Sequence, residues 1–125
     1  MEPTREELMP QLELEHATEA DGVGVVALRG ELDVANVGEL EAALAELVES
    51  GHRNVVLDLG ALNFIDSTGL AALLTGLRNL TRLDGHLVLA CTNPSVLRLF
   101  EVTRTDTTFV ICPDRERALE RVREL

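Results

Sequence analysis

The chain has 125 residues, 46% of them apolar, and a formal net charge of -11. That size suits one domain burying roughly two-thirds of its unfolded surface, and no apolar run approaches the ~18 residues of a membrane span. The acid excess falls entirely in residues 1–50, with 13 Asp/Glu against Arg5 and Arg29, a field that disfavours nucleic acid and anionic lipid and suits a basic protein partner or simple solubility. The opening MEPTREELMP is polar, carries Pro3 and Pro10, and lacks the basic-then-apolar pattern of a signal peptide. Residues 1–10 therefore read as a loose tail, and the cytoplasm is the expected compartment. From Gln11 the chain alternates, with Leu12, Leu14 and His16 on one side and Gln11, Glu13 and Glu15 on the other, as in a half-buried strand. Asp21-Gly22 turns it into a second, antiparallel strand over Val23–Arg29, closed by Gly30-Glu31-Leu32-Asp33.

Helical spacing takes over at 36–49, where Val37, Leu40, Leu44, Leu47 and Val48 form one stripe and Ser50-Gly51 ends the helix. Val55–Leu59 is a short buried strand. A second helix is expected over about 67–82, turning Leu70, Leu73, Leu74, Leu77 and Leu80 inward. Asp84-Gly85 leads into a strand at His86–Ala90, and Asn93-Pro94 starts a short helix with Asn as N-cap and Pro at its first position. Thr107–Ile111 reads as the last strand. Pro113-Asp114 opens a terminal helix with Ala118, Leu119, Val122 and Leu125 on one side. The order ββαβαβαβα implies an α/β fold with a mixed, mostly parallel sheet of about five strands and about four helices.

The chemistry concentrates where the third strand meets the second helix, in Phe64-Ile65-Asp66-Ser67-Thr68-Gly69-Leu70. Asp-Ser-Thr-Gly at a helix start leaves backbone N–H groups pointing outward, where a phosphate meets the positive end of the helix dipole. Gly69 is expected to keep the Ser67 hydroxyl open to approach. The plainer reading is capping, with Asp66 or Ser67 as the N-cap. Elsewhere the chemistry is thin. Asp58 within its apolar strand has no acid or His partner in the pattern and reads as a hydrogen-bonded structural acid. His16, His52 and His86 show no metal-ligand spacing, Cys91 and Cys112 read as buried free thiols, and lysine is absent. Ser67 lacks a GxSxG elbow. No enzyme activity, metal or cofactor is expected.

Three blocks in order resemble the STAS family, and within it the bacterial anti-sigma factor antagonists. They are Leu28-Arg29-Gly30-Glu31-Leu32-Asp33; Leu57-Asp58-Leu59 through Phe64-Ile65-Asp66-Ser67-Thr68-Gly69-Leu70; and Asn93-Pro94-Ser95-Val96-Leu97-Arg98-Leu99-Phe100. The resemblance runs from about residue 11 to 122 and implies one STAS domain over 11–125. It implies that the dephosphorylated protein binds an anti-sigma factor that is also a serine kinase of the GHKL fold, displacing a sigma factor. That kinase would phosphorylate Ser67, and a metal-dependent serine phosphatase would reverse the mark. The acidic residue of the Gly-Glu-Leu-Asp turn, Asp33, would contact the partner, with Asp66, Thr68, Gly69, Asn63 and Leu99 as further interface candidates. The alternative within the fold is a STAS subunit of a lipid-transport or other regulatory complex, acting by binding without phosphorylation. Monomer and weak dimer both remain open.

Overall fold

The computed structural model describes residues 11–125 together with Glu2; the rest of the expected N-terminal tail lies outside the described residues. The elements run β1 (Leu12–Thr18), β2 (Gly24–Leu32), α1 (Val37–Glu49), β3 (Asn54–Ile65), α2 (Ser67–Arg82), β4 (His86–Ala90), α3 (Pro94–Val102), β5 (Val110–Cys112) and α4 (Arg115–Glu124). The strands lie side by side in sequence order, β1 antiparallel to β2 and each later pair parallel. Successive parallel strands step in one direction, so crossovers of a single hand place their helices on one face. Leu28, Leu57 and Leu89 on that face pack with Leu40 and Leu44 of α1, Leu73 of α2 and Phe100 of α3. Val25, Val56 and Val88, one residue out of phase, pack on the other face beneath Ala118, Leu119 and Val122 of α4.

The α/β class, the mixed five-stranded sheet and the element order agree with the sequence reading, while several boundaries move. In β1 the alternation fades early: Leu12 is buried and Leu14 half-buried, but His16 is exposed, because β1 is an edge strand paired on one side. Thr107 and Thr108 lie in a turn and β5 is only three residues long. The Thr105 carbonyl takes the N–H groups of both Thr108 and Phe109, which keeps this segment from a ladder. Phe109 is buried instead, its ring 5.6 Å from that of Phe100. Leu125 is exposed rather than part of the α4 stripe. Cys91 is buried, whereas Cys112 is only half-buried; the two pack on opposite faces of the sheet, so they are not poised to pair.

The largest departure is β3, which continues from the expected end at Leu59 to Ile65. Against β2 its register slips twice: Ala27 pairs with Asp58 but Arg29 with Ala61, and Gly30 pairs with Leu62 but Glu31 with Phe64. Each slip inserts one extra residue into β3, a bulge. The inward residues Leu57, Leu59, Leu62 and Ile65 all reach the same core, yet their spacing of two, three and three hides the strand from a period-two search. In β2, Gly30 has φ +103°, and an added Cβ would stand 2.2 Å from the Gln11 carbonyl oxygen. Only glycine fits both that backbone conformation and the close approach of β1. Its place in the Gly30-Glu31-Leu32-Asp33 block is thus structural.

Candidate functional site

The carboxyl ends of β2 and β3 are adjacent, Leu32 paired with Ile65, and the Asp66 N–H donates to the Leu32 carbonyl at 3.2 Å. Asp33 and Asp66 are therefore the first residues beyond two neighbouring strands. Asp66 is extended (φ -102°, ψ -178°) and its Oδ1 accepts from the Gly69 N–H at 2.9 Å, so Asp66 is the N-cap of α2. That resolves the capping question and leaves Ser67 at the first helical position. Ser67 is exposed, and its hydroxyl makes no hydrogen bond among the described residues. The Leu70 N–H already bonds the Asp66 carbonyl at 3.0 Å. Ser67 and Thr68 thus keep the unpaired N–H groups of the first turn, at the positive end of the helix dipole.

Asp33 is held as firmly. Its Oδ1 accepts from the Ala35 N–H at 2.9 Å, its own N–H donates to Asn36 Oδ1 at 3.0 Å, and Asn36 Nδ2 donates to the Glu31 carbonyl at 2.9 Å. The Asp33 carbonyl also takes the Val37 N–H at 2.9 Å. These bonds tie the connection to itself and hold Oδ1 of the Asp33 carboxylate in place.

Gly69 plays a different part from the one expected. It is buried, and an added Cβ would lie 2.8 Å from Ile65 Cγ1 and 3.0 Å from Leu32 Cγ. Its small size lets α2 close onto the ends of β2 and β3; access to Ser67 follows from Ser67's own outward position. Thr68 is half-buried and Asn63 exposed at the second bulge of β3. Leu99 lies apart on α3, half-buried against the same core that takes Val96 and Phe100. The N-cap Asn93 ties α3 to β3 through Nδ2 and the Leu62 carbonyl, 3.1 Å apart.

Two residues of this end were missed from the sequence. Phe64 is 47% exposed and Val34 72% exposed, the first two residues before Asp66 and the second directly after Asp33. A large apolar side chain next to a polar turn was the available signal. Asp58 is a structural acid, accepting from Arg115 Nε at 2.9 Å and from the Gly60 N–H at 2.9 Å. Among the described residues no group of His, Cys, Asp and Glu could hold a metal ion, and no helix is long and apolar enough to cross a membrane. Burial raises the Cys91 thiol above its ordinary pKa, which suits an inert core residue.

The family model described as the STAS domain matches residues 16–118. "Putative anti-sigma factor antagonist BtrV" of Bordetella bronchiseptica is 40% identical over 98 residues, 78% of this chain and 84% of that protein. The anti-sigma-B factor antagonist of Staphylococcus aureus is 36% identical over 78 residues, 62% of this chain and 72% of that protein. Among solved structures, an anti-sigma factor antagonist from Mycobacterium paratuberculosis superposes with a TM-score of 0.82 at 29% identity, covering 90% of this chain and 94% of that one. With the match spanning nearly every element of the sheet, the chain belongs to the STAS domain family, among relatives named as anti-sigma factor antagonists.

Proposed function

We propose that this chain is an anti-sigma factor antagonist: unphosphorylated, it binds an anti-sigma factor of the GHKL serine-kinase fold and so frees a sigma factor. Phosphorylation of Ser67 ends that complex, and a serine phosphatase restores the binding form. The observation that carries the reading is the exposed, unbonded Ser67 hydroxyl at the first turn of α2, set beside the pre-aimed carboxylates of Asp33 and Asp66. The names of its relatives support the same role.

The physics of such a switch is adequate without a change of fold. Phosphorylation adds about -1.5 to -2 charge, and the free N–H groups of Ser67 and Thr68 with the helix dipole can hold the phosphate where it forms. A kinase that modifies Ser67 must present the phosphates of its nucleotide to that hydroxyl. After transfer, phosphoserine faces the remaining nucleotide phosphates and lies close to Asp66. One like-charge pair ~6 Å apart at an effective dielectric of ~20 costs roughly 3 kcal/mol, about a hundredfold in affinity. The test is to incubate the chain with ATP and a GHKL-type kinase and locate the phosphate by peptide mass spectrometry. Phosphate on Ser67 is expected. Phosphate at another residue, or none with a kinase that modifies a second antagonist, would contradict the assignment.

A further inference from the structure

We propose that Phe64, with Val34 on the neighbouring connection, is the apolar anchor through which this chain docks its partner, a protein surface offering an apolar pocket rimmed by arginine or lysine. The proposal rests on the reading of Ser67 above and names the contact that would bring that partner to it.

Phe64 is exposed because of a specific backbone feature. Leu62 and Ile65 both face the main core. With strict alternation from Leu62, residue 64 would be buried beside it. The extra residue at Asn63, where Gly30 pairs with Leu62 but Glu31 with Phe64, resets the phase and turns the phenyl ring outward. Bulges of this kind re-aim side chains next to functional sites. The ring emerges on the face opposite α1 and α2, where cover by α4 gives out: Arg115, the first residue of α4, reaches only to Asp58. Beyond that contact Arg29, Glu31, Ala61 and Phe64 are all exposed.

The position of the exposed apolar groups points the same way. Among the described residues the exposed large hydrophobics are Val34, Phe64, Leu83, Val102 and Leu125. Scattered singly, such residues need no explanation, but Val34 and Phe64 fall on the two adjacent segments that carry Asp33 and Asp66. Aromatic side chains in the middle of a polar ring are the usual energetic centres of protein interfaces. The charged residues nearest Phe64 and Val34 along the chain and across the strands are acidic. Glu31 pairs with Phe64 across the strands, Asp66 lies two residues on, and Asp33 follows Leu32. None of these three acids forms an ion pair among the described residues, so their charge is complemented only by a basic partner surface.

The test measures affinity for the GHKL-type serine kinases of the same genome, each purified and loaded with ADP, using the full chain and the variants Phe64→Ala, Val34→Asp and Leu125→Ser. Leu125 is the control: it is exposed at the end of α4, where Arg123 meets Asp21 ahead of β2. Phe64→Ala and Val34→Asp should each weaken binding at least tenfold, with Leu125→Ser within twofold of the parent chain. Circular dichroism checks the fold, and Val34→Asp decides the matter if Phe64→Ala fails to fold. Affinities within twofold for both site variants would overturn the anchor. Phosphate mapping in parallel preparations given ATP in place of ADP reads the parent proposal separately: phosphate on Ser67 with unchanged variant affinities removes the anchor alone, whereas a parent chain that binds none of the kinases removes both.

Discussion

Acidic residues that face α4 and those at the carboxyl ends of β2 and β3 are treated differently. Glu19, Asp21 and Asp58 meet arginines of α4, Arg123 taking the first two and Arg115 the third. These contacts fasten the last helix to the β1–β2 turn and to mid-β3. At the carboxyl ends of β2 and β3, Glu31, Asp33 and Asp66 meet no arginine among the described residues. Asp33 and Asp66 bond backbone N–H groups instead. Such bonds fix the direction of a carboxylate but leave its charge largely uncompensated. One residue type thus serves as a clamp where α4 closes on the sheet and, under the proposed function, as a charge presented to a partner.

Four substitutions or titrations bear on that contrast. The largest effect is expected at Gly30, which sets the end of β2 against β1. Gly30→Ala combines a left-handed backbone with a Cβ 2.2 Å from a carbonyl oxygen and should cost about 3 kcal/mol in denaturant unfolding. A near-neutral result would mean that this end is not rigidly built. Next is Asp66. If its fold role is capping, Asp66→Ala should cost about 1 kcal/mol and Asp66→Asn only a few tenths, while both lose the charge offered to a partner. Measured side by side, unfolding and partner affinity then separate cap from charge.

A smaller effect is expected at the clamp. The Arg115–Asp58 pair is partly exposed, so Arg115→Ala should cost roughly 0.5 kcal/mol and leave partner affinity unchanged. The smallest is a titration. The Arg123 guanidinium bonded to Asp21 holds that carboxyl below its ordinary range. Because the folded pKa is depressed, its stabilisation is complete above the unfolded value near ~3.9. It fades as pH falls through the lower folded value. Carboxyl NMR should show the Asp21 midpoint below that of an unpaired Asp, and Arg123→Ala should restore it.

The parts legible in the sequence were those governed by one clear period or one local bond. The α1 and α2 stripes, the Asn93-Pro94 start of α3 and the β4 run appear where the pattern placed them, because burial on one face dictates spacing. The carboxyl half of β3 did not, since two bulges break the alternation without breaking the core. No glycine stands between Glu101 and Phe109 to mark the end of α3, yet Arg104 takes φ +59° there, and the N–H groups of Arg104 and Thr105 close on the carbonyls of Glu101 and Phe100, as in a glycine-ended helix. At the site, the motif pointed to Ser67, Asp66 and Asp33 together. It could not assign the cap to Asp66, give Gly69 a packing role, or expose Phe64, because each depends on how β2 and β3 end side by side.

In the proposed function, one phosphate at Ser67 is enough to separate this chain from its partner. The most direct test is the dissociation constant of the kinase complex, with ADP bound, measured with unphosphorylated chain and with chain phosphorylated at Ser67. Binding about a hundredfold weaker is expected after phosphorylation, with the far-ultraviolet circular dichroism of the free chain unchanged. Equal affinities for the two forms would contradict this reading.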